Sequence, residues 1–244
     1  MAGTDPHAGL IDSFPGALSA ECDGHGFVNI TIPGDGDERP VPQSARCPVC
    51  AQAKLRSVIG DFIPPRFRNR IEIPQDAEDW AQGGRSAQGL YLAGQVGTGK
   101  THTAWMAVAA WCMATGTFPR DEGRQDDVHG GARIRPTVIF TRMTDLLDDL
   151  RPGDSARQRV RDCQLADLLV LDDIGAEKAS EWTQERLYSV IDHRYAGCMP
   201  LIVTSNLPPV KLADQTGARA ASRLAEMCQV VPITGADRRK PAAA

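Results

Sequence analysis

The sequence predicts an α/β domain built on a parallel sheet, and three features carry that prediction. Short apolar runs recur along the chain with helix-length segments between them, the pattern of a sheet covered on both faces. The first run, Leu90–Ala93, leads directly into GQVGTGKT (Gly94–Thr101), a loop of the phosphate-cradling form G-x-x-x-x-G-K-[ST]. A later run, Leu168–Leu171, ends in the adjacent acids Asp172 and Asp173, as a Mg²⁺-binding strand should.

Taken in chain order, residues 1–60 are rich in Gly, Pro and Asp, with a helix expected only over Ala51–Ile59, and cannot build a core unaided. Residues 61–88, with Pro64-Pro65, Pro74 and Gly83-Gly84, read as a linker or a wrapping segment. The nucleotide-binding domain spans 89–235. Its expected strands are Leu90–Ala93, Thr137–Thr141, Leu168–Leu171, Leu201–Thr204 and Gln229–Pro232. Its helices are expected over Thr101–Thr115, Met143–Leu150, Ser155–Cys163 and Ser180–Tyr195. A polar loop joins Phe118 to Pro136, and residues 236–244 form a C-terminal tail. About a dozen residues follow the last strand, too few for a helical lid domain.

Bulk properties narrow the class. At 244 residues and 42% hydrophobic content the chain holds one α/β domain with a small appendage. A formal charge of −4 leaves no global basic field, so nucleic acid must be met by a local patch. Seven cysteines, four of them scattered singly through expected core segments, do not make a disulfide framework. With no secretory signal and no membrane span, the cytoplasm is the expected location.

Each part of the loop has a physical job. Gly94, Gly97 and Gly99 let the backbone turn and, with Thr98, aim N–H groups at phosphate oxygens, and the helix that follows adds the positive end of its dipole. Lys100 reaches the β- and γ-phosphates of a nucleoside triphosphate, and Thr101 joins Asp172 in holding Mg²⁺. Asp173 is placed to orient or activate the attacking water. Asn206, at the end of LIVTSN, either bonds the γ-phosphate or the water, or simply forms the turn before Leu207-Pro208-Pro209.

GQVGTGKT, LLVLDDIGAEK, IVTSNL and RAASRL, in this order and spacing, resemble the DnaC/IstB-like group of AAA+ ATPases, over residues 62 to about 239. The resemblance implies a P-loop AAA+ parallel sheet with flanking helices and no C-terminal lid, and ATP as the nucleotide. It implies that Lys100, Asp172, Asp173 and Asn206 serve ATP, and that Arg223 of the SRL motif reaches a neighbouring subunit's γ-phosphate in a homo-oligomer. Arg219, on the same helical face, is the competing finger, and Arg238 is the nearest match to a second sensor. Asp173 departs from the Glu common in AAA+ proteins, which implies slow turnover. Glu177 is the alternative acid.

Cys22-Asp-Gly-His25 and Cys47-Pro-Val-Cys50 form two chelating pairs that fit a structural Zn²⁺, and zinc would explain how a core-poor segment folds. The single Cys112, Cys163, Cys198 and Cys228 read as buried small hydrophobes. Some helicase loaders resemble this plan, with a zinc-bearing N-terminal module that docks on the helicase. Arg151, Arg157, Arg159 and Arg161 form a local basic cluster suited to a single-stranded DNA backbone. Asp148, Asp149, Asp154 and Asp162 interleave with it, so an ordinary charged helix face is the competing reading, and no aromatic residue interrupts the cluster. The expected function is ATP-dependent loading of a replicative DNA helicase onto single-stranded DNA. The alternatives are an IstB-like transposition helper ATPase that remodels target DNA, and an ATP-switched adaptor with little turnover.

Overall fold

Apolar runs of four to six residues are too short for core helices, and they pair side by side as parallel strands wherever helices can cross over between them. The computed structural model describes residues 20–22, 26–32, 39, 41–120, 136–153, 155–176 and 178–235. It divides into two units, residues 1–60 and 61–244.

In the first unit, strands β1 (Ala20–Cys22), β2 (Phe27–Ile32) and β3 (Val41–Arg46) form an antiparallel sheet in the order β1-β2-β3. Helix α1 (Pro48–Phe62) follows. Strand β2 alternates cleanly: Val28 and Ile30 are buried with Cys47, while Phe27 and Asn29 face out. The sequence pointed only to the helix here. Runs of three to six residues carry too few turns of alternation to stand out against the surrounding Gly and Pro.

The second unit contains α2 (Gln75–Gln82), β4 (Gly89–Ala93), α3 (Lys100–Thr115), β5 (Val138–Arg142), α4 (Met143–Asp149), α5 (Ala156–Leu165) and β6 (Leu168–Ile174). It continues with α6 (Glu181–Ala196), β7 (Leu201–Ser205), α7 (Ala213–Thr216), α8 (Ala218–Met227) and β8 (Cys228–Pro232). The five strands are all parallel, in the order β5-β6-β7-β4-β8. Tyr91, Leu169, Leu171 and Val203 join one core with residues of α4, α5, α6 and α8. Helix α3 packs on β4, β6 and β7, so the α/β architecture expected from the sequence is present. No helix among the described residues is long and apolar enough to cross a membrane.

Residues 61–88 wrap α3. The Trp111 indole N–H donates to Gly84 O at 2.7 Å, Arg85 bonds Thr117 Oγ1 at 3.1 Å, and His102 Nε2 meets Asn69 O at 2.7 Å. Phe67 stacks on Trp105, with ring centroids 6.4 Å apart.

Arg194 of α6 is fully buried and clamps the edge of the sheet. Its guanidinium donates to the carbonyls of Cys163 at 3.0 Å, Ala166 at 2.9 Å and Pro200, tying the end of α5 to the entry of β7. Burial pushes its pKa down to about 10, which still leaves it charged at neutral pH. Removing the side chain strands several buried acceptors at once. Arg194→Ala is therefore expected to lower stability by about 3 kcal/mol in urea titrations, and Arg194→Lys to recover little of it, because one ammonium cannot reproduce the planar fork.

Candidate nucleotide site

The loop is built by the end of β4. Gly94 N–H donates to Ser205 O at 3.1 Å, which extends the sheet register by one residue. A Cβ on Gly94 would lie 2.2 Å from Ile233 O, so only glycine fits. Gly97 and Gly99 then turn with φ of 83° and 101°, the left-handed region glycine adopts freely. Thr98 closes the turn by donating to Gln95 O at 2.9 Å. Helix α3 starts at Lys100, which puts the positive end of its dipole at the loop.

Lys100 is buried, and its ammonium donates to Gly94 O and Gln95 O, both at 2.8 Å, and to Asn206 Oδ1 at 2.5 Å. These neutral acceptors hold the group in place yet bind it less strongly than phosphate oxygens would. Thr101 Oγ1 donates to the Asp172 carboxylate, 2.9 Å from Oδ1 and 3.2 Å from Oδ2. The two proposed Mg²⁺ ligands thus meet at one point, and the donor set of one hydroxyl and one carboxylate suits a hard cation. Asp172 is only 5% exposed. Burial pushes its pKa up, against the hydrogen bonds from Thr204 and Thr101, while the neighbouring Asp173 adds to the rise. Both ligands open onto a cavity of about 470 Å³ walled by Phe62, Phe67, Trp105 and Phe140, which gives solvent access to them.

Strand β6 bulges at Asp172 and Asp173. Leu171 pairs with Val203 and Ile174 with Ser205, so two residues of β6 oppose the single Thr204 of β7. Asp173 takes φ of 61°, a region that Asp tolerates better than most residues, and its side chain is exposed. The Thr204 hydroxyl sits in the bulge, donating to Asp172 Oδ1 at 2.7 Å and accepting from Asp173 N–H at 2.8 Å. Asn206 Nδ2 reaches Asp173 Oδ1 at 3.4 Å. Asn206 therefore touches both Lys100 and Asp173.

The structure thus brings together Lys100, Thr101, Asp172, Asp173 and Asn206. Sequence reasoning puts Thr204, with Ser205 and Asn206, among the polar residues at the carboxyl edge of the sheet but gives it no contact with the two acids. Arg223 and Arg219 lie elsewhere, on α8 against α6. Arg223 Nε pairs with Asp192 at 3.1 Å and its guanidinium lies 4.3 Å from the Tyr195 ring, while Arg219 stacks on Tyr188 at 3.7 Å. Among the described residues neither bonds to the Lys100–Asp173 group. Arg238, Glu177, His25 and Asp154 lie outside the described residues.

In the first unit the sulfur atoms of Cys22, Cys47 and Cys50 all lie within 4.8 Å of one another, and Cys22 and Cys50 are 3.6 Å apart. Tetrahedral zinc with Zn–S bonds of about 2.3 Å separates its sulfurs by about 3.8 Å, so the three thiols fit such a centre. Burial pushes the Cys47 thiol up, but the Cys50 amide and neighbouring thiols outweigh it and bring the pKa down to about 7. The same thiol contacts push Cys50 up to about 11. Of the single cysteines, Cys112, Cys163 and Cys228 are buried as expected. Cys198 is exposed, in the turn after α6, where the chain leaves the core.

The basic cluster divides. Arg151 pairs with Asp148 at 2.9 Å and Arg159 with Asp149 at 3.0 Å. Asp162 is buried and accepts from Gln158 at 2.9 Å. Arg157 and Arg161 remain exposed.

Comparison with known proteins agrees with this geometry. The profile of the IstB-like ATP binding protein family matches residues 125–243. An ATP-binding protein in an insertion sequence of Mycobacterium tuberculosis is 32% identical over 133 residues, which are 53% of this chain and 44% of that protein. Over residues 125–243 the chain is therefore similar to IstB-like ATP-binding proteins. Its fold is similar to that of the DnaC helicase loader, with a TM-score of 0.51 and 21% identity over 74% of this chain and 99% of that one. It is also similar to replication initiator DnaA bound to AMPPCP and single-stranded DNA, with a TM-score of 0.53 and 22% identity over 71% of this chain and 51% of that one. The chain spans about half or less of the length of the curated relatives it matches.

The Thr204 bridge makes a specific demand on Mg²⁺ binding. Thr204→Val, which keeps the shape and removes the hydroxyl, is expected to weaken Mg²⁺-dependent ATP binding about tenfold by calorimetry. Thr204→Ser is expected to stay near the parent value, since a buried hydrogen bond to a charged group is worth about 1.5–3 kcal/mol.

Proposed function

We propose that the protein is an ATP-dependent loader of a replicative DNA helicase onto single-stranded DNA, with hydrolysis driving release. The observation that carries the nucleotide chemistry is the convergence of Lys100, Asn206 and Asp173 with Thr101, Asp172 and Thr204 at the carboxyl edge of one parallel sheet. Ligands of open α/β sheets bind at that edge.

In this reading Thr101 and Asp172 hold Mg²⁺, which supplies charge neutralisation at the phosphates when bound. Lys100 leaves its carbonyl acceptors for the β- and γ-phosphates, and the loop amides cradle the chain of phosphates. Asp173 orients the water that attacks the γ-phosphorus and receives its proton, and Asn206 holds the γ-phosphate beside it. The bond to the β-phosphate oxygen breaks, leaving ADP and phosphate. Arg223 of a neighbouring subunit completes the site in a homo-oligomer, with Arg219 as the competing finger and Arg238 as a second sensor. Residues 1–60 are the helicase-docking module, held by zinc on Cys22, Cys47, Cys50 and His25. Residues 61–88 join it to the ATPase domain at 89–235, and 236–244 form a tail.

A second reading, a transposition helper of the IstB kind, is favoured by the match to the insertion-sequence protein. The separate three-thiol unit favours the loader. Co-purification with the host's replicative helicase, rather than with a transposase, decides between them. An adaptor with little turnover is the third reading, and it turns on the short Asp173 side chain.

Turnover separates the enzyme from the adaptor. Lys100→Ala is expected to abolish ATP binding. Asp173→Asn is expected to bind ATP normally and lose turnover about a hundredfold, with or without single-stranded DNA. A parent protein that binds ATP yet shows no turnover in either condition would leave only the adaptor.

Zinc has its own readout. Elemental analysis is expected to find one zinc per chain, lost in Cys50→Ser, and a zinc-free preparation that keeps its fold refutes the metal.

A further inference from the structure

Strand β5 ends in a cation beside the nucleotide site. The parallel register pairs Arg142 with Asp172 and Phe140 with Val170. Partners in such a pair share a face of the sheet, and the two-residue period of β5 puts Phe140 on the same face as Arg142. That face is the one α3 covers: Phe140 stacks on Trp105 with ring planes 2° apart, and Asp172 accepts from Thr101. Arg142 therefore stands next to the Asp172 carboxylate on the Mg²⁺ side of the site.

Arg142, Thr101 and Asp172 open onto the same cavity of about 470 Å³. Two arginines line it, and they differ. Arg159 is engaged, its Nε pairing with Asp149 at 3.0 Å and its guanidinium donating to Thr141 Oγ1 at 3.1 Å. Arg142 is exposed and forms no ion pair among the described residues. Asp145, the other acid of the cavity wall, is exposed and accepts from Thr144 Oγ1 at 3.3 Å. Burial pushes the Asp172 pKa up, and the positive charge of Arg142 opposes the rise, so the field of the guanidinium reaches the metal-side acid. Arg219 and Arg223, by contrast, are occupied by Tyr188, Asp192 and Tyr195 of α6.

We propose that Arg142 is a catalytic residue acting within its own chain, its guanidinium donating to an oxygen of the γ-phosphoryl group during transfer. The water oxygen bonds to the γ-phosphorus as the bond to the β–γ bridging oxygen breaks, and the proton of the water passes to Asp173. Arg142 keeps its own protons throughout. A guanidinium aimed at the equatorial oxygens stabilises the charge spread over them in the transition state. Being supplied in cis, it needs no neighbour, and an arginine from a second subunit adds to it. The inference rests on the reading of the loop and the two acids as an ATPase site, and names a further group of that site.

The test uses the full chain with Mg²⁺. Arg142→Ala is expected to lower turnover about a hundredfold. Its affinity for AMPPCP by calorimetry should stay within about threefold of the parent, while its affinity for ADP with aluminium fluoride, which mimics the group in transfer, falls with turnover. Arg142→Lys should recover part of both, since it keeps the charge without the planar fork. Parent-like thermal midpoints check the fold. Arg142→Ala chains mixed with Lys100→Ala chains are expected to regain no turnover, and restoration overturns action in cis. Turnover that returns at high Mg²⁺ overturns the catalytic role, because Arg142 then only keeps Asp172 ionised. Parent-like turnover and aluminium fluoride affinity in Arg142→Ala overturn the proposal and leave the ATPase reading standing. A parent protein that binds AMPPCP but neither turns over ATP nor binds ADP more tightly with aluminium fluoride overturns both.

Discussion

The bulge in β6 is the constraint on which the nucleotide site depends. In a regular strand Asp172 and Asp173 would point to opposite faces of the sheet and their backbone would pair in register with β7. The extra residue breaks that register, and Thr204 fills the break with a hydroxyl that donates to one acid and accepts from the other's amide. One acid is thereby kept buried against Thr101, where burial raises its pKa and a cation would lower the cost of its charge. The other is turned out to the edge in a left-handed conformation. The different surroundings of the two acids, one buried and one exposed, go with one backbone irregularity and one hydroxyl. It also bears on the choice of Asp over Glu at 173. A left-handed backbone is tolerated better by the short polar Asp than by most side chains, and here Asp173 also accepts from Asn206 across the strand ends.

Helix α6 plays the complementary role on the other side of the sheet. Its last turn carries Arg194, whose hydrogen bonds hold the end of α5 and the start of β7 in place. Its second half presents Tyr188, Asp192 and Tyr195 to the arginines of α8, and its first turn carries Trp182. A single helix thus fixes β7, and with it Thr204 and Asn206, while setting the orientation of the α8 arginines. Arg223 is held by an ion pair and an aromatic face, a partly exposed arrangement of a kind that contributes little stability.

Much of the candidate site was legible because a phosphate loop and a strand-end acid pair are defined by residue chemistry at fixed spacing. The loop and the paired acids are read directly from GQVGTGKT and LLVLDD. Thr204 was not, because residue type announces a hydroxyl but not a bulge, and the two-residue period of a strand gives no warning that the register will slip. Arg194 reads from sequence as a cation at a helix end, a normal surface position; only the packed fold reveals that it is buried. The first unit's three strands were missed since their burial involves few residues. Val28, Ile30 and Cys47 make a core too small to impose a long alternating pattern.

The nucleotide site is joined to α6 by the short connection that leaves β6, and both ends of it are anchored. Ser205 Oγ donates to Ile174 O at 2.7 Å, Ala179 N–H donates to Gln215 O at 2.9 Å, and Ser180 caps α6 through Thr183 N–H at 3.3 Å. Both ends of the connection are therefore pinned to neighbouring elements. Coupling between two sites requires an element with two discrete arrangements, not continuous flexing of packed parts. Asp173 lies at the start of this connection with its backbone in a sparsely occupied region, and returning a residue from that region recovers about 1–2 kcal/mol. That sum is of the order by which one ligand commonly changes the affinity for another. The bulge at the two acids thus stands at the start of this connection, next to the strand end through which Asn206 meets both Lys100 and Asp173.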